Sequence, residues 1–77
     1  DFVLLLGGNR WAQINVEIGE AQVKDSIKRL ERLRKKVHSA GRLGEPLFSA
    51  VILATTERPR QDAATGAYIF PITSLSS

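Results

Sequence analysis

Gln13, Asn15 and Glu17 stand at alternate positions of the stretch Trp11 to Ile18. In a strand, that spacing puts two amides and a carboxylate on one face with Trp11, and Ala12, Ile14, Val16 and Ile18 on the other. Polar groups in such a row need water, a ligand or hydrogen-bond partners, so any site built on this strand is expected on their face. The four apolar side chains are expected to pack against a helix. A second set able to do chemistry follows downstream. Lys24, Lys28, Arg29, Arg32, Arg34, Lys35, Lys36 and Arg42 fall within one predicted helix and its exit, a local basic excess compatible with phosphate. Glu20/Lys24, Asp25/Arg29 and Glu31/Lys35 stand four apart with the acid first, which predicts solvated pairs along the helix. Arg32, Lys36 and Arg42 have no acid at that spacing and are the candidate nucleic-acid contacts.

Other chemistries find little support. His38 is the only histidine and there is no cysteine, so it reads as a helix-terminal residue and not as a zinc ligand. No G-x-x-x-x-G-K-[S/T] run occurs, so a P-loop is absent, and nothing in the spacing of Ser, His and Asp suggests a catalytic triad. Trp11, beside the predicted turn, is expected to cover apolar surface, or else to stack on a base or dock a partner.

The elements that must position these groups follow from pattern and punctuation. Phe2 to Leu6 is an apolar run ending at Gly7-Gly8-Asn9, residues that tolerate a tight reversal, so residues 1 to 18 read as a β-hairpin. A two-residue turn at Gly8-Asn9 would pair Asp1 with Val16, and a three-residue loop over Gly7 to Asn9 would pair Asp1 with Asn15. Only the second puts Asp1 on the face of Gln13, Asn15 and Glu17. From about Ala21, Val23, Ile27, Leu30, Leu33 and Val37 form a helical stripe that Gly41 is placed to stop. Leu47 to Ala54 is nearly all apolar and is expected as the central strand. After an exposed loop over Glu57 to Gly66, Ala67 to Ile72 returns as a strand that is an edge or ends near Pro71. The expected order is β-β-α-β-β: an α/β (α+β) domain with a mixed four-stranded sheet and the helix on one face, its last two strands antiparallel because a loop joins them.

Seventy-seven residues make one domain, at the small end of what folds alone. The chain opens on Asp1 and has no methionine, so it is expected to be a C-terminal piece of a longer protein whose absence orphans some apolar surface. Net charge is +3 with a pI near 9.8, which permits nucleic acid without demanding it. No apolar run reaches a membrane span and no signal-peptide pattern is present, so a soluble, cytoplasmic protein is expected.

Asp1 with F-V-L, G-G-N-R-W at Gly7 to Trp11, N-V-E-I-G at Asn15 to Gly19, L-G-E-P from Leu43, the apolar strand ending in A-T-T, and G-A-Y-I-F-P-I from Gly66 occur in that order. Together they resemble the C-terminal domain of unknown function that follows the ATPase core in bacterial AAA-type ATPases. That domain is similar to the restriction-endonuclease-like PD-(D/E)xK superfamily, in which an Asp and a Glu-x-Lys on the next strand hold a divalent metal and activate water. The resemblance implies Asp1 as the aspartate. It places Asn15 where the glutamate is expected and Glu17 where the lysine is expected, so a metal, magnesium by the family's chemistry, would rest on Asp1 and Glu17 with an uncharged amide between them. The residues therefore favour a non-catalytic accessory or interaction domain, contacting its own upstream ATPase domain, a protein partner or a second copy. The alternatives are a metal-dependent nuclease using Asp1, Asn15 and Glu17, and a nucleic-acid-binding module using the basic helix.

Overall fold

Gly7, Gly8 and Asn9 all take positive φ, at 78°, 60° and 61°, and so carry the chain through a three-residue reversal. The Leu6 N–H donates to the Arg10 carbonyl at 2.8 Å and the Arg10 N–H to the Gly7 carbonyl at 3.1 Å. This loop joins β1 (Phe2–Leu5) to β2 (Trp11–Glu17), with Val3 opposite Gln13 and Leu5 opposite Trp11. Of the two registers open to the sequence, this is the one with a three-residue loop. The structure, a computed structural model, describes residues 2–41, 43–54 and 58–75, so Asp1 itself lies outside the described residues.

Past β2 the chain makes a 3-10 turn over Glu20–Gln22 and enters α1 (Val23–Ala40). Gly19 donates its N–H to the Gln22 side-chain carbonyl at 3.1 Å, which satisfies a backbone donor left over at the entry to the helix. At the other end Gly41 has φ 73° and donates to the His38 carbonyl, the left-handed stop expected of glycine. The four-residue acid–base pairs expected along the helix do not close. Glu20 reaches Arg60, Glu31 takes Arg34, and Arg29 turns to Glu17. Two of these pairs tie the helix region to a strand, Glu17 to Arg29 and Glu20 to Arg60, and the third, Glu31 with Arg34, closes at three residues and not four.

The remaining strands are β3 (Ser49–Leu53), β4 (Arg60–Gln61) and β5 (Tyr68–Pro71), followed by a 3-10 turn at Ile72–Leu75. All five form one sheet in the order β1-β2-β3-β5-β4. β2, β3 and β5 are parallel to one another; β1 and β4 are antiparallel to their neighbours. The architecture is thus α+β with a mixed five-stranded sheet and one helix.

Two expectations are corrected. The sheet has five strands, because Arg60–Gln61 pairs with β5 at the far edge; two residues are too few to show a period in sequence. β3 and β5 are parallel, because the segment between them runs out to that edge and re-enters through the Asp62–Gly66 turn, which makes the antiparallel pair β4/β5 instead. Asp62 closes this turn, accepting from the Thr65 N–H at 2.9 Å and its hydroxyl at 2.7 Å. β5 is an interior strand, and Pro71 is its last residue, two positions beyond the last pairing β4 makes, at Ile69. There its missing N–H removes no bond from the β4 ladder.

The core lies between α1 and the sheet. Val23, Ile27 and Leu30 of the helix meet Val51, Leu53, Ala67 and Ile69. Burying each of the larger aliphatic side chains contributes about 1.5–3 kcal/mol. β3 is apolar on both faces, with Val51 and Leu53 in the core under the helix and Ala50 and Ile52 on the other side.

Candidate functional site

The register decides what each face of the sheet carries. Cross-strand partners point the same way, so Gln13, Asn15 and Glu17 share a face with Ser49, Val51, Leu53 and Ile69. That is the face under α1. The polar side of β2 is therefore packed, and its apolar side is the uncovered one, the reverse of what the alternation in β2 suggests. β2's own pattern is outweighed by β3 and β5, which offer aliphatic side chains to the helix. The hand of a β-α-β crossover, right-handed in nearly all proteins, also fixes the covered face independently of the first strand's alternation.

Under the helix each polar residue of β2 makes at least one hydrogen bond. Asn15 is buried, and its amide nitrogen donates to the Ser26 hydroxyl at 2.8 Å and the Ser26 carbonyl at 3.2 Å. Gln13, also buried, donates to the Ser49 hydroxyl at 2.7 Å. Trp11 is fully buried, and its indole N–H donates to the Gly44 carbonyl at 2.8 Å, tying the connector after the helix onto the sheet. Among the described residues, neither Gln13 Oε1 nor Asn15 Oδ1 meets a donor. Glu17 lies at the rim, where its carboxylate accepts from Arg29 at 2.5 Å.

Of the candidate metal ligands, then, Glu17 is ion-paired, Asn15 is sealed against Ser26, and Asp1 lies outside the described residues. Among the described residues no group of three or more His, Cys, Asp or Glu gathers into a ligand set. Arg32 and Lys36 are exposed on the outer side of α1, where with Arg29 and Leu33 they line a shallow groove of about 210 Å³. Arg42 lies outside the described residues. Along its outer side α1 exposes Lys24, Lys28, Arg32, Lys35 and Lys36 against the acid Asp25, so this surface is predominantly cationic. A larger cleft of about 440 Å³ opens at one end of the sheet between Arg34, Ser49, Gln61 and Tyr68. Arg34 is held there by Glu31 at 2.9 Å and Glu45 at 3.0 Å, and these bonds, Glu31's first, raise its pKa further above the arginine range.

The feature that sequence reasoning placed wrongly is the open face of the sheet. Phe2, Leu4, Ile14, Val16, Ile52, Tyr68 and Phe70 all project from it, with Ala12 and Ala50 between them. Phe2 is 57%, Val16 53% and, just past β2, Ile18 86% exposed. The rings of Tyr68 and Phe70 stack at 5.7 Å, nearly parallel at 12°, a rigid aromatic shelf on β5. Contiguous apolar surface on this scale marks an interaction site in a folded protein. Its signal was present in the sequence as the even-numbered alternation of β2 together with β3 apolar on both sides; what was missing was which side the helix takes.

Among the described residues, no helix is long and apolar enough to cross a membrane. No protein-family model, curated protein or solved structure matches the chain.

Proposed function

We propose that this domain is a non-catalytic interaction module that docks on protein through the uncovered face of its sheet. The observation that carries the proposal is that face: apolar on four adjacent strands, aromatic at β5, and without a charged side chain among its strand residues, while the polar groups of β2 are consumed in packing. The sequence resemblance adds a context, an accessory domain behind a bacterial ATPase core with a degenerate restriction-endonuclease-like fold. Asn15, bonded to Ser26, and Glu17, bonded to Arg29, favour docking over magnesium-dependent cleavage by Asp1, Asn15 and Glu17.

A photo-crosslinking side chain at position 16, compared with one at position 36 on the outer helix surface, tests this in cells. Discrete protein adducts from position 16, lost on Ile52→Lys, are expected. Adducts from position 36 alone would refute docking through the sheet.

A second reading has one observation behind it: the shallow groove on the outer side of α1 where Arg32 and Lys36 are exposed, beside an Arg29 already paired with Glu17. It is phosphate-backbone binding by the helix. It requires affinity for duplex DNA that falls steeply with salt and with Arg32→Glu or Lys36→Glu; salt-independent or absent binding removes it.

A further inference from the structure

We infer that the occupant of the open sheet face is a second copy of this chain, packed sheet against sheet about a two-fold axis. The inference rests on the reading of that face as a docking surface and specifies what docks.

Area is the first argument. Taking Phe2, Leu4, Ile14, Val16, Ile18, Ile52, Tyr68 and Phe70 at their exposures, the patch presents on the order of 600 Å² of side-chain surface, so two copies would bury roughly 1,200 Å², the lower bound of a stable specific interface. Charge is the second. The chain carries a net +3, with exposed cations concentrated on α1, so contacts that bring two helices together are opposed. Stacking the open faces keeps the helices apart. The sheets would sit about 10 Å apart, each helix on the outside of a four-layer helix-sheet-sheet-helix stack, with both sheets between the two cationic surfaces. No ionised side chain of the strands enters the contact, so self-apposition meets no like-charge opposition. Shape is the third. A two-fold contact must be self-complementary, and an uncharged sheet face satisfies this at the ordinary alignment of packed sheets. Pairing of β1 edges would leave the Tyr68–Phe70 shelf bare.

Sedimentation equilibrium of the chain over a wide concentration range decides the matter. The expected result is a reversible monomer–dimer equilibrium whose Kd rises at least about a hundredfold in Val16→Lys, since each copy then brings a lysine into the contact. Ile18→Lys, beyond the end of the strand and 86% exposed, should weaken the dimer while leaving the circular dichroism of the monomer unchanged. Lys36→Glu, on the outer helix surface, should shift Kd by less than about threefold. A monomer at every concentration, open-ended association, or a dimer indifferent to both face variants overturns the inference. If the chain is monomeric yet crosslinks to another protein from position 16, docking stands and only the second copy fails; if it is monomeric and position 16 gives no adduct, both fail.

Discussion

The amide nitrogen of Asn15 sits 2.8 Å from the hydroxyl and 3.2 Å from the carbonyl of Ser26, and that contact locks the polar side of β2 to the underside of α1. Both residues are buried, so the bond forms away from water, and its loss leaves a desolvated partner behind. Ser26 occupies the helix turn just before the apolar contact of Ile27 and Leu30, so the hydrogen bond and the core are formed by one packing event.

Replacing Asn15 with Asp tests that lock. A carboxylate there would be buried against the Ser26 carbonyl with no cation, which should cost about 3 kcal/mol or more. Ser26→Ala should cost less, about 1–3 kcal/mol, because it strands one amide hydrogen and adds no charge. Urea denaturation of both variants checks the order.

Glu17 and Arg29 predict a metal-insensitive surface. The Glu17 carboxylate is occupied by Arg29, so magnesium and manganese should leave the amide resonances of Asn15 and Glu17 in place. Glu17→Gln should cost only about 0.5–1 kcal/mol, since Arg29 is partly exposed and screened by water. Localised shifts with either ion would revive a ligand role for Glu17.

The sole tryptophan supplies an internal probe. Trp11 is fully buried and bonded to Gly44, so its emission should be blue-shifted and resistant to acrylamide quenching. Trp11→Phe should cost about 1–2 kcal/mol through the lost indole bond and volume. Trp11→Ala should cost about 3–5 kcal/mol through the cavity it leaves. Red-shifted, readily quenched emission in the folded protein would contradict the placement.

Acid should loosen the turn between β4 and β5. Hydrogen bonds from the Thr65 hydroxyl, and then from its backbone N–H, hold the Asp62 carboxyl below the ordinary aspartate value of 3.8. A depressed folded-state pKa means that the contribution is fully present above that ordinary value and is lost as pH falls through the lowered one. Thr65→Ala should move the Asp62 carboxyl resonance midpoint upward, toward 3.8. An unmoved midpoint in that variant would show that Thr65 does not hold the carboxylate.

How far the sequence led can be seen at particular residues. The helix was legible because Val23, Ile27 and Leu30 repeat at helical spacing and Gly41 accepts the left-handed stop. The hairpin was legible, but its register was not, because Gly7, Gly8 and Asn9 all tolerate positive φ and allow either loop. β4 left no trace, being two residues long. The parallel relation of β3 and β5 depends on a detour to the far edge that no local pattern records. The covered face was misjudged because β2 alone argues for its apolar side, whereas Val51, Leu53 and Ile69 on its neighbours, with Ser26 and Arg29 on the helix, decide for the other. The polar residues singled out as candidates were thus recognised as unusual for a physical reason, their need for partners, and the structure supplies partners from within for the Gln13 and Asn15 amide nitrogens and the Glu17 carboxylate, though not for the two amide oxygens among the described residues.

The central claim, that the polar side of β2 is packed and its apolar side is the open docking surface, is tested most directly by placing one lysine on each side. At a concentration low enough to keep copies apart, the account predicts that Val16→Lys changes unfolding free energy by no more than about 0.5 kcal/mol. Asn15→Lys, a charge buried against Ser26, should cost more than about 3 kcal/mol, a large fraction of the stability of so small a domain. A folded, stable Asn15→Lys together with an unfolded Val16→Lys would show that the helix covers the other face and would contradict the account.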